Sequence, residues 1–221
     1  MAKFNWHRLL ETSWLYTKVF FVVLALCVAS YLYGTYKPNE SAIAKVNEEL
    51  DVFYMNEIKA MGLQEPEFTY NNDIQFVRAM HKCINYINFT LPKDKRVPYE
   101  MIIGQAALES AWGQSRFAVE GNNLFGIRTW DKDEPYLLPI PWTKWPGWGV
   151  KMYSSKCESV VDYLHILNNV HAFEELREAR ANGVNDALEL ANYLDNYASK
   201  PTYVALVKEI IQYNLRGVYE L

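Results

Sequence analysis

The sequence predicts an α+β domain, predominantly helical, carried behind one membrane-spanning helix. Three observations carry this expectation. Val19 to Tyr33 is an uncharged apolar run. On either side of the middle of the chain, apolar residues recur at three and four. Between them, residues 124–153 are rich in glycine, proline and aromatics and lack a helical period, which predicts short strands or a hairpin. The 221 residues suffice for one domain of about 150 residues with its own core, plus an accessory segment. A formal net charge of −4 excludes nucleic acid as the main partner, because phosphate binding calls for a basic surface.

In chain order, Lys3, Arg8 and Lys18 precede the apolar run, and Glu40, Glu48, Glu49 and Asp51 follow it. Leu15 and Tyr16 extend the run to bilayer length if Lys18 snorkels. The positive-inside rule then places 1–18 in the cytoplasm, 19–36 as a single-pass signal-anchor in the inner membrane, and the rest outside, in the periplasm or extracytoplasmic space. A signal peptide cleaved near Ala29 and Ser30 is an alternative. A lipid on Cys27 is a third, disfavoured by the bulk of Leu26 before it. All three export the remainder. Residues 37–70 make a linker and an amphipathic helix, with Ile43, Val46, Leu50, Phe53, Tyr54, Ile58 and Met61 on its stripe. A domain spans 71–217. Its first helix, about Asp73 to Phe89, shows Phe76, Val77, Met80, Cys83, Ile84 and Ile87. Pro98 opens the next at a favoured first-turn position, running to a stop at Gly113. That helix is apolar on nearly every side, the mark of one buried through a domain centre. Ser155 and Glu158 form a capping box for the helix that follows the β segment. Gly183 stops another, and Pro201 opens the last. With Cys27 in the apolar run, only Cys83 and Cys157 could meet in the folded domain; whether they pair is not readable from the sequence, and buried free thiols are the default. With no CxxC, no histidine at ligand spacing, and His81, His165 and His171 scattered, neither metal nor cofactor is expected.

Glu109 is the residue that periodicity makes odd. It follows Ile102, Ile103, Ala106, Ala107 and Leu108 near the carboxyl end of the central helix. A partly desolvated carboxylate at the negative end of a helix dipole has a raised pKa, as a general acid for glycosidic cleavage requires. Taken alone, the residue is more often a glutamate on the one wet stripe of such a helix.

The segment Ala106 to Gly126, AALESAWGQSRFAVEGNNLFG, resembles the signature of the glucosaminidase family that includes Bax-type proteins and flagellar-rod cell-wall hydrolases (glycoside hydrolase family 73). Later blocks, SVVDYLHILNN, AFEELREAR and YASKPTYVALVKEIIQYN, resemble it more weakly, so that the resemblance covers roughly 70 to 216. It implies a lysozyme-like fold with a small β-hairpin lobe, and an endo-β-N-acetylglucosaminidase acting on the glycan strands of peptidoglycan. It also implies that Glu109 is the catalytic acid and that Tyr197 matches a tyrosine kept near it. For a second carboxylate the candidates are Asp131, Asp133 and Glu134 in TWDKDEP, with the substrate's own 2-acetamido group as the alternative. Asn122, Asn123 and Gly126 of the NNLFG turn either contact the sugar or only shape the turn. Trp112 and Phe125 line the cleft or pack behind it. Tyr153, Trp142, Trp145 and Trp148 are divided between sugar contact and lobe packing. Two rivals remain: lytic cleavage of the neighbouring muramic acid bond on the same fold, and a catalytically silent glycan-binding or scaffolding protein of the envelope. Protein partners are not readable from the sequence.

Overall fold

In the computed structural model the described residues are 6–36, scattered positions between 43 and 60, 62–198 and 200–218. The chain divides into two compact units, Met1–Met61 and Gly62–Leu221. In the first unit one helix, α1 (Trp6–Tyr36), is continuous. Its stretch Tyr16–Gly34, with mean hydropathy 1.8, is long and apolar enough to cross a membrane. Lys18 turns its ammonium back over the Trp14 ring at 3.4 Å. Most of the amphipathic helix expected at 41–61 lies outside the described residues.

The second unit is helical, with one small sheet. Helix α2 (Asp73–Thr90) starts where the Asn72 side chain accepts from Gln75 N, and buries the stripe Phe76, Val77, Met80, Cys83, Ile84 and Ile87. Helix α3 (Tyr99–Ser110) is the central one, with every residue from Met101 to Ala107 buried. It packs on α2, on α7 (Ala187–Leu190), on α8 (Tyr203–Glu209) and on the π-helical turn Ile210–Leu215. Close approach is possible because residue 104 is glycine: a Cβ there would stand 3.1 Å from Ile211. Helix α4 (Arg116–Gly121) leads to strands β1 (Arg128–Thr129), β2 (Tyr136–Leu137) and β3 (Gly149–Lys151). They form an antiparallel sheet in the order β1-β3-β2, with Arg128 opposite Val150 and Tyr136 opposite Lys151. Helices α5 (Lys156–Asn169) and α6 (Glu174–Ala181) complete the core.

Three local expectations are corrected. The central helix ends at Ser110 rather than at Gly113, because Ala111 and Trp112 already adopt left-handed φ of 50° and 56° before Gly113 at 79°. Ser110 Oγ caps this turn by accepting from Gly113 N at 2.7 Å. Alanine and tryptophan carry no propensity signal for such a conformation, which costs about 1–2 kcal/mol per residue. The capping box is displaced by one: Ser155 accepts from Glu158 N as expected, but Glu158 returns to the N–H of Ser154. Finally, Cys83 and Cys157 are not free thiols but form a disulfide joining α2 to α5. Both stripes face the same core, so the one pair that could meet does so, which sequence spacing leaves open.

Candidate active site

Glu109 lies in the last turn of α3, partly buried at the edge of the core. Burial pushes its carboxyl above the usual range, while a hydrogen bond from the Tyr203 hydroxyl pulls it back down. No carboxylate contributes to this shift. The abrupt left-handed exit at Ala111 and Trp112 ends the helix directly after Glu109, and strain of this kind collects at functional sites.

Behind Glu109 runs a buried polar chain. Tyr163 Oη donates to Gln105 Oε1, Gln105 Nε2 donates to Tyr203 Oη at 2.8 Å, and Tyr203 spends its own proton on Glu109. Gln105 and Tyr163 are fully buried and Tyr203 nearly so. Because Gln105 accepts from Tyr163 and donates to Tyr203, the Tyr203 proton is left for the carboxylate. Neither Gln105 nor Tyr203 stands out from the sequence: Gln105 is one polar residue in an apolar helix, a signal easily taken for a helix boundary. Tyr197 is close but differently used. Its hydroxyl donates to Phe125 O at 2.9 Å, and its ring stacks on Tyr203 with centroids 5.6 Å apart.

The NNLFG turn passes in front of the helix end. Gly126 has φ of 66°, and a Cβ there would stand 3.7 Å from Glu109 Oε2, so the turn backbone approaches the carboxylate closely. Asn123 holds the turn. Its Nδ2 donates to Ile127 O and Lys151 O, and its Oδ1 accepts from Phe125 N and Ile127 N. The amide's capacity is exhausted and the residue is 1% exposed, so its side chain has nothing left for a sugar. Asn122, left-handed at φ 53°, ties α4 to Tyr153 O and Ser154 O and accepts from Lys156 at 3.1 Å. Both asparagine side chains are thus bonded into the turn and its surroundings. Asn123→Ala should cost about 2 kcal/mol in chemical denaturation, since it strands the Phe125 and Ile127 N–H groups, whereas Ile127 O keeps its bond from Lys151 N.

Phe125, 2% exposed, stacks on Tyr163 at 4.0 Å and so packs behind the site. Trp112 meets Phe76 edge-on. Tyr153 is buried, and its hydroxyl donates to Asp162 at 2.7 Å, so that burial, and then Asp162, drive its pKa upward. In the β lobe, Trp145 packs on Tyr136 and Trp148 lies under Arg128, whereas Trp142 is 54% exposed. Trp130, not singled out from the sequence, is 71% exposed. It leaves β1 at the sheet end where β2 also leaves and β3 begins, so Trp130 and Trp148 adjoin the same end of the sheet, and Trp142 lies in the loop between β2 and β3. Of the three lobe carboxylates, Asp131 and Asp133 are exposed on the turn, with Asp131 Oδ1 accepting from Asp133 N. Glu134 is partly buried and held: it accepts from Thr129 Oγ1 at 2.5 Å and lies 3.9 Å from Lys151 Nζ. Among the described residues no group of histidine, cysteine and carboxylate side chains is arranged to hold a metal.

The glucosaminidase family, described as mannosyl-glycoprotein endo-beta-N-acetylglucosaminidase, matches residues 90–216. The chain belongs to this family. It is 29% identical over 127 residues to the peptidoglycan hydrolase FlgJ of Salmonella typhimurium, covering 52% of this chain and 39% of that protein. It is 34% identical over 96 residues to the protein bax of Escherichia coli, covering 42% and 32%. The chain thus spans well under half the length of these relatives. The catalytic domain of the autolysin Auto from Listeria monocytogenes has the same fold, with a TM-score of 0.51 at 23% identity over 73% of this chain and 94% of that one.

Proposed function

We propose that this glucosaminidase-family protein is an endo-β-N-acetylglucosaminidase that cuts the glycan strands of peptidoglycan outside the cytoplasmic membrane, with Glu109 as general acid. The observation that carries this reading is the partly buried Glu109 carboxyl, raised by desolvation and aimed by Tyr203 beside the Gly126 backbone. A group in this state holds its proton toward neutral pH and gives it to the leaving oxygen as the glycosidic bond breaks. Glu134 is the candidate second carboxylate, because Thr129 and Lys151 fix its orientation while Asp131 and Asp133 are exposed on the turn. Tyr203, rather than Tyr197, is the residue that orients the acid. The exposed faces of Trp130 and Trp142 suit the apolar C–H faces of sugar rings.

Export is supported by the apolar helix with its positive flank, and by the Cys83–Cys157 bond, since disulfides persist in oxidising compartments. A 19-residue apolar stretch near the amino terminus suits an uncleaved anchor. Digestion of purified wall should release fragments with N-acetylglucosamine at the reducing end. Anhydromuramic ends would instead assign the protein to lytic cleavage of the neighbouring bond. Glu134→Gln is expected to slow digestion by about 10²-fold while Asp133→Asn stays close to wild type. Equal rates for the two would transfer the second role to the substrate's acetamido group.

A further inference from the structure

Two adjoining cavities flank Phe68–Asn71, the loop segment that precedes α2. The larger, about 460 Å³, is walled by Phe68, Tyr70 and Val119, and Thr69, Asn71 and Lys156 give it polar atoms. The smaller, about 330 Å³, shares Thr69, Tyr70 and Asn71 and brings in Arg78 and Lys82 opposite Glu67. None of the residues assigned above to the glycan site lines either cavity.

Charge sets this region apart. The Lys156 ammonium reaches Asn122 Oδ1 at 3.1 Å and lies 5.7 Å from the Tyr70 ring, yet pairs with no carboxylate among the described residues. Burial lowers its pKa, and no acid contributes to oppose that. Arg78 and Lys82 likewise make no ion pair among the described residues. In a chain of net charge −4, three such cations against the single Glu67 carboxylate in the cavity walls leave a net positive field around one segment. An anion entering the larger cavity would supply the counter-charge that the half-buried ammonium lacks.

The region is also tied to the catalytic helix. Tyr70 Oη donates to Gly113 O at 2.6 Å, and Gly113 stands four residues beyond Glu109. Four residues of chain reach at most about 14 Å, so the Tyr70 segment meets the backbone within that distance of the acid.

We propose that the Lys156 cavity binds a carboxylate of the short acidic peptide branching from the wall glycan, with the methyl of an adjoining alanine against Phe68, Tyr70 and Val119. This rests on the wall-glycan reading and adds to it a preference for peptide-bearing strands over bare ones. A neutral N-acetylglucosamine oligomer has nothing to offer Lys156.

The test is a calorimetric titration of the full chain in detergent micelles with N-acetylmuramyl-alanyl-glutamate, with the same compound amidated at both carboxyls, and with an N-acetylglucosamine tetramer. The acidic compound should bind about tenfold more tightly than its amide. Lys156→Met should remove that advantage, Lys156→Arg should keep it, and neither should alter affinity for the tetramer. Because Lys156 also holds Asn122, the exposed pair Arg78→Gln/Lys82→Gln provides a second variant, expected to weaken the acidic compound about threefold through the local field alone. Equal affinity for acid and amide, or an acid preference that survives both Lys156→Met and the double variant, overturns the proposal. So does inorganic phosphate competing as well as the peptide. Wall digestion without any carboxylate preference would fell this site alone. A Lys156-dependent preference in a protein that does not digest wall would fell the hydrolase reading and leave the site.

Discussion

Glu109→Gln is expected to abolish release of reducing ends from purified wall, by at least about 10²- to 10⁴-fold in kcat/KM, with the protein still folded and still binding glycan. The magnitude is that of losing a positioned general acid from a reaction whose leaving group is a poor alkoxide. Glutamine keeps the size and can still accept the Tyr203 hydrogen bond, so the buried chain from Tyr163 through Gln105 stays satisfied. Only the transferable proton is lost. Equal digestion by wild type and variant would remove the chemistry from position 109. Digestion by neither, with glycan still bound, would make the protein a binder.

The same substitution carries a stability signature with a determined sign. Burial raises the folded-state pKa of Glu109 above its unfolded value, so between the two values the folded protein holds more protons than the unfolded chain. Stability contributed by this group is therefore greatest below the unfolded pKa and falls as pH rises through the raised folded value. Above that value the wild type carries a desolvated charge that Glu109→Gln lacks. The variant should melt at a higher temperature than wild type at neutral pH, and the difference should vanish below about pH 4, where both are neutral. A gain in stability with loss of activity is the pattern of a site held in an unfavourable state for function. A merely structural Glu on a wet helix stripe would show no such pH-dependent gap.

What was legible in the sequence was the framework that hydrophobic period and punctuation encode. The α2 stripe, the all-round burial of α3 and the strand character of 124–153 follow from local residue choice. Glu109 stood out because a carboxylate near the end of an apolar helix is costly unless it is used or solvated. The rest depends on contacts between residues far apart in the chain. The residue types of the NNLFG turn suit sugar contact and turn-building alike; four bonds to backbone atoms, one of them to Lys151 O, tie the Asn123 side chain into the turn. Cys83 and Cys157 are 74 residues apart, and no local feature joins them. The choice between Tyr197 and Tyr203 was equally hidden. Both belong to one block, and the two rings stack, so that only the direction of each hydroxyl separates Phe125 O from the Glu109 carboxylate.

That separation is testable. Tyr203→Phe should lower kcat by about 10- to 100-fold, the worth of a hydrogen bond to a charged or charging group. The pH profile should move as well. Tyr203 lowers the Glu109 pKa by donating to the ionised form, so its removal lets burial act unopposed and raises that pKa further. The acid must be protonated to work, so the alkaline limb, where activity falls as pH rises through the Glu109 pKa, should shift to higher pH. Gln105 Nε2 would lose its acceptor at 2.8 Å in a fully buried position, and the variant should lose stability for that separate reason. Tyr197→Phe is the matched control. It deletes a hydroxyl of the same cluster whose proton goes to Phe125 O, so it should leave the alkaline limb in place. A shift of the limb by Tyr197→Phe and not by Tyr203→Phe would reverse the two roles. Shifts by neither would detach the buried Tyr163–Gln105–Tyr203 chain from the acid, leaving desolvation as the sole control of its proton.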